Sequence, residues 1–169
     1  SSAPAPVSPS GLSATYFDNK DFTGATVSAL DPFINFNWGT KAPYPQLDKD
    51  TFSVRWTGSI QAPQTGKYTF YAKTDDGVRV WVNNQLIINA WRVKSAYEVR
   101  GSIDLVAGQR YPIRVEYFEN KGRASAQLFW SAQTTRTQRI PIVGGRVITR
   151  KKTTTVVPKQ IIPPHVLFP

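Results

Sequence analysis

The chain has 169 residues, no cysteine, no methionine and a formal net charge of +10. That length suits one domain with a real core, and the absence of thiols excludes both a disulfide framework and a thiolate metal site. The charge is uneven: Arg136, Arg139, Arg146, Arg150, Lys151, Lys152 and Lys159 meet no acid between Ser131 and Pro169, while the other 14 of the 21 basic residues face all 11 acids.

A chain opening Ser1-Ser2-Ala3-Pro4 without an initiator reads as a processed or excised piece of something larger. No apolar run approaches the roughly 20 residues of a spanning helix, and no signal peptide is visible. Residues 1–10, rich in Ser, Ala and Pro, read as a linker. A single domain is expected over residues 11–169. Its apolar pattern has period two at Leu12–Tyr16, Phe52–Trp56, Tyr68–Ala72, Val78–Val82, Ile113–Tyr117 and Ala124–Leu128. Such runs, divided by Gly, Pro, Asn and Asp, predict strands with one buried face. Nothing shows a helical period. The expected fold is all-β, an antiparallel, jelly-roll-like β-sandwich.

Between the first two runs, Asp31–Asp50 reads as a long irregular stretch whose aromatics plug the end of the sandwich. Pro63-Gln64-Thr65-Gly66 and Ala107-Gly108 supply turn residues. Asn83-Asn84 fits a two-residue hairpin, which would pair Trp81 with Leu86 and Val80 with Ile87; a three-residue loop would pair Val80 with Ile88 instead. Asp75-Asp76-Gly77 breaks one strand before the next begins, and neighbouring carboxylates there can grip a hard cation. A plain Asp-Gly turn is the alternative.

Taken together, Gly11–Phe17, Phe52–Gly58, Gly66–Phe70, Asp75–Val82 with Leu86–Trp91, Arg114–Asn120 and Leu128–Trp130 resemble blocks of the protective-antigen (PA-fourteen) domain, a lectin-like β-sandwich module. The ending Ile161-Ile162-Pro163 through Pro169 is similar to the close of that family, which makes 134–158 a basic insertion, a β-hairpin turning at Gly144-Gly145 with Ile140, Ile142, Val147 and Ile148 on its arms.

The resemblance implies that Asp75 and Asp76 bind calcium through a cis peptide, assisted by a late loop, Phe118–Arg123. Asn120 is the expected amide ligand, and Trp91, Glu119, Lys121 and Arg123 would shape a sugar pocket. The implied function is calcium-assisted glycan binding in a secreted or cell-surface bacterial protein, for adhesion or substrate targeting. The basic hairpin would favour acidic glycans. The rival is a structural or protein-interaction module that binds no glycan.

Catalysis has little to rest on. His165 is the single histidine, too little for a Ser-His-Asp relay. Adjacent acids on one turn do not face each other across the roughly 5 to 9 Å that glycoside hydrolysis needs. Basic residues not interleaved with aromatics, without a recognised motif, argue against nucleic acid.

Overall fold

Alternation of apolar and polar residues makes strands nearly everywhere the sequence shows it. A computed structural model describes residues 10–169, so the linker expected over 1–10 lies, except for Ser10, outside the described residues. In chain order the strands are β1 (Leu12–Phe17), β2 (Thr26–Asp31), β3 (Asn35–Gly39), β4 (Ser53–Gln61), β5 (Gly66–Asp75), β6 (Gly77–Val82), β7 (Gln85–Ala90), β8 (Tyr97–Leu105), β9 (Arg110–Phe118), β10 (Ala124–Pro141), β11 (Val147–Ile161) and β12 (Leu167–Phe168). A short 3-10 turn at Pro164–Val166 precedes the last, with His165 exposed on it. Among the described residues no helix is long and apolar enough to cross a membrane.

Two antiparallel sheets form the sandwich: β2-β1-β4-β9-β6-β7, with β12 also on β4, and β11-β10-β5-β8, with β3 also on β10. One side of β4 is shared, β1 pairing with Ser53–Thr57 and β12 with Ser59 and Ile60. There the start and close of the domain touch, the Gly11 N–H donating to the Leu167 carbonyl at 3.0 Å. β10 is divided likewise between β3 and β11.

The inward residues of both layers make one core that includes Trp56, Tyr68, Phe70, Val80, Val115, Tyr117 and Trp130. The stretch expected to be irregular is partly ordered as β3, because Asn35–Gly39 can add to the free flank of β10. Its rings do pack against the core: Phe36 stacks on Trp38 with centroids 4.9 Å apart, and Trp38 meets Phe52 edge-on at 5.4 Å.

The β6–β7 hairpin combines both expected registers. Asn83 and Asn84 take φ of 52° and 62°, the positive values of a two-residue type I′ turn, and Trp81 pairs with Leu86. Ile87 is then an extra residue, so Val80 pairs with Ile88. The bulge presses the Ile87 carbonyl toward β8, where a Cβ on Gly101 would lie 1.9 Å from it. A side chain is excluded there by contact.

Buried Asp31 accepts from the Tyr16 hydroxyl at 2.6 Å and from Trp56 Nε1 at 2.8 Å. Asp31→Ala strands both donors and is expected to cost about 2 to 4 kcal/mol, lowering the melting temperature by about 10 °C in a domain of this size. A drop below about 2 °C in thermal denaturation would contradict this role.

Candidate metal centre and the adjoining depression

β5 ends and β6 begins at the acidic pair, and their packing fixes its surroundings. The Asp75–Asp76 peptide is cis, as the resemblance implied. Gly77 is required by close approach, since a Cβ there would sit 2.1 Å from a ring carbon of Phe118. Asp76 is buried and held at both oxygens: Oδ1 accepts from the Lys94 N–H at 3.1 Å and Oδ2 from the Asn120 N–H at 2.8 Å. The Asp76 carbonyl accepts from the Thr74 hydroxyl at 2.8 Å, and the Asp75 carbonyl accepts from the Tyr117 hydroxyl.

Glu119 completes the group. Asp75, Asp76 and Glu119 each offer a carboxylate oxygen, and these atoms lie within 4.8 Å of one another. Glu119 has no exposed surface; Oε2 accepts a long 3.4 Å bond from Tyr117, and Oε1 has no hydrogen-bond partner among the described residues. Burial, then the charges of Asp76 and Asp75, push its carboxyl up to about 8. Burial and Asp76 also raise Asp75.

Lys94, which sequence reasoning missed, is buried nearby without an ion pair to the acids. Its ammonium donates to the carbonyls of Thr74 at 2.5 Å, Tyr97 at 3.1 Å and Ser95 at 3.4 Å, and burial lowers it to about 8. Among the described residues the three acids make no ion pair. Clustered anionic oxygens, one of them buried and unpartnered, are the donor chemistry of a hard cation such as calcium, which takes six to eight oxygen ligands. The residues present therefore fit such an ion.

Asn120, expected to bind through its amide, positions Asp76 through its backbone N–H, and its side-chain oxygen accepts from Lys20 Nζ at 3.3 Å. Glu119, expected in the sugar pocket, joins the acids. The signal was present: Ile113, Val115 and Tyr117 point inward, and Glu119 continues their parity. Lys121 and Arg123 are exposed on the loop, where the Gly122 N–H donates to Asp50 Oδ1 at 3.0 Å.

Trp91 is half-buried, stacked on Phe22 at 5.6 Å, with the Arg79 guanidinium 3.8 Å from its ring centroid. Arg79 is anchored by buried Glu116 at 3.0 Å. Trp91, Phe22 and Arg79, with Lys20, Asp21, Arg92, Val93 and Phe118, line a depression of about 530 Å³. Phe118 precedes Glu119 and Val93 precedes Lys94, so the depression adjoins the acidic group along the chain.

Comparison with known proteins matches most of this chain to one family. The model of the PA14 domain matches residues 8–141. An anti-sigma-I factor, RsgI3 of Acetivibrio thermocellus, is 43% identical over 132 residues, 78% of this chain and 20% of that protein. An anti-sigma factor domain-containing protein from Clostridium clariflavum has a solved structure that superposes with a TM-score of 0.77 at 35% identity, over 95% of this chain and 47% of that one. The sugar-binding PA14 domain of an RTX adhesin superposes at 0.59 with 15% identity, over 85% of this chain and 96% of that one, a likeness of fold. The chain thus spans about a fifth of the curated relative and about half of the solved one.

Proposed function

The chain belongs to the PA14 domain family, and from that premise we propose that it is a calcium-assisted carbohydrate-binding module without catalytic activity of its own. The observation that carries this reading is the unpartnered, fully buried Glu119 oxygen beside Asp75 and Asp76. These three residues would hold calcium, and the ion would supply positive charge with coordination positions for sugar hydroxyls. The chain's own part is to fix the acids: Asn120 and Lys94 pin Asp76 by backbone N–H groups, and Tyr117 pins the Asp75 carbonyl. Trp91 and Phe22 give the adjoining depression an apolar wall on which a pyranose face can rest.

The likeness to anti-sigma factors favours a parent protein that regulates in response to a glycan over one that adheres or targets an enzyme. Extracellular modules bind calcium at roughly 0.1 to 1 mM, so such a centre would fill outside the cytoplasm. A glycan array probed with calcium and with chelator tests the proposal. Spots that appear with calcium and vanish with chelator are expected; equal binding in both would remove the ion from the mechanism, and an array without spots would favour the protein-interaction rival.

A further inference from the structure

Beyond the sandwich, β10 and β11 continue alone. β5 accompanies β10 only as far as Gln133, paired with Lys67, after which the two strands bond to each other from Thr134↔Thr154 to Pro141↔Val147. Except for the half-buried Ile140, every residue from Thr135 to Thr155 is exposed. Register shifts where β11 passes Pro158 mark the place where the ribbon departs from the sheet.

The ribbon is built against its own stability. Arg136 pairs directly with Lys152, and Arg150 opposite Gln138 follows on the same face, while Lys151 and Arg139 lie on the other. Like charges placed opposite each other repel. Among the described residues none of Arg136, Arg139, Arg146, Arg150, Lys151 or Lys152 takes part in an ion pair. Past Arg139 and Arg150 the tip is aliphatic except for Arg146 in its turn: Ile142, Val143, Val147 and Ile148 are exposed, Val143 fully at 102%. Aliphatic groups held in water on a two-stranded projection bury nothing within the domain.

We infer that this ribbon docks the domain onto an anionic lipid surface, Ile142, Val143, Val147 and Ile148 of the tip entering the headgroup boundary, Arg146 of the turn extending its guanidinium back to the phosphates, and Arg139, Arg150 and Lys151 lying among them above the tip. The order of chemistry along the ribbon, four aliphatic residues around a single Arg146 at the end and the other cations behind, matches the order of depth in such a surface, since a long arginine side chain can reach back to the phosphates. An acidic polysaccharide would take up the charge but has no use for the aliphatic tip, and the ribbon has no aromatic ring between Thr134 and Pro158 on which a sugar could stack. Single-stranded nucleic acid would equally call for stacking rings. This docking does not depend on the calcium centre.

The test is cosedimentation of the 169-residue chain with vesicles, in chelator so that calcium binding cannot contribute. Vesicles of phosphatidylcholine with about one third phosphatidylglycerol should bind the chain, pure phosphatidylcholine should not, and binding should weaken steeply from about 0.1 to 1 M salt. Arg146→Gln with Arg150→Gln should weaken binding about 30-fold, and Val143→Asp about tenfold. Both variants should leave the melting temperature unchanged, since these side chains are exposed. Binding to soluble polyuronate but not to vesicles, or a Val143→Asp variant that binds vesicles as the parent does, would overturn the inference.

Discussion

At pH 8, about 10 mM calcium is expected to raise the melting temperature by about 3 to 10 °C, and Glu119→Gln or Asp75→Asn is expected to remove most of that rise. That concentration is about 10 to 100 times a dissociation constant of roughly 0.1 to 1 mM, which stabilises the folded state by about 1.4 to 2.7 kcal/mol, and each kcal/mol is worth about 2 to 4 °C at this chain length. Glu119→Gln carries a second signature. Without calcium the buried carboxylate has an oxygen with no partner, so the neutral isostere should melt higher than the parent at pH 8 while losing the response to the ion. A calcium response that survives both substitutions would dismiss the centre. Alanine is the wrong probe at position 76. Sequence alone suggests that Asp75→Ala with Asp76→Ala would spare the fold, but Asp76 accepts the N–H groups of Lys94 and Asn120, and losing it leaves both unpaired.

The second expected result is a stability that falls with pH when calcium is absent. Glu119 rises from an ordinary 4.5 to about 8 on folding, chiefly through burial. Between those values the folded chain holds a proton that the unfolded chain has released, so stability is lost as pH climbs from about 4.5 to about 8. Asp75, also raised, adds to the same trend. Lys94, lowered to about 8, acts in the window above, where rising pH favours the folded state, and so does not mask it. Calcium must displace the Glu119 proton, so its affinity should grow about tenfold per pH unit up to about 8. Calorimetry at pH 6.5 in buffers of different ionisation enthalpy should report release of about one proton per ion. A pH-independent affinity would mean that Glu119 stands outside the coordination sphere.

Much of the fold was legible because its central strands carry strict alternation. Val78–Val82 and Ile113–Tyr117 lie in the middle of a sheet, where burial forces every second residue to be apolar. Besides β3, the strands that went unread are β2 and β8, which lie at sheet edges with few of their side chains buried, so Thr26–Asp31 and Tyr97–Leu105 carry little apolar signal. The hairpin of 134–158 was readable from Gly144-Gly145 and the residues flanking it. At the candidate centre the acidic pair stood out in the sequence, whereas Glu119 required following the parity of β9 past its last aromatic residue. Nothing local marks Lys94 as buried: that follows from the carbonyls of Thr74, Ser95 and Tyr97 converging on it, a product of tertiary packing.

The seam where β1 and β12 lie along β4, closed by the Gly11–Leu167 bond, brings the entrance and the exit of the domain side by side. A longer polypeptide can therefore detour through this module and resume its course almost where it left. Grafting the module into a surface loop of an unrelated protein would require little spacing between the cut ends.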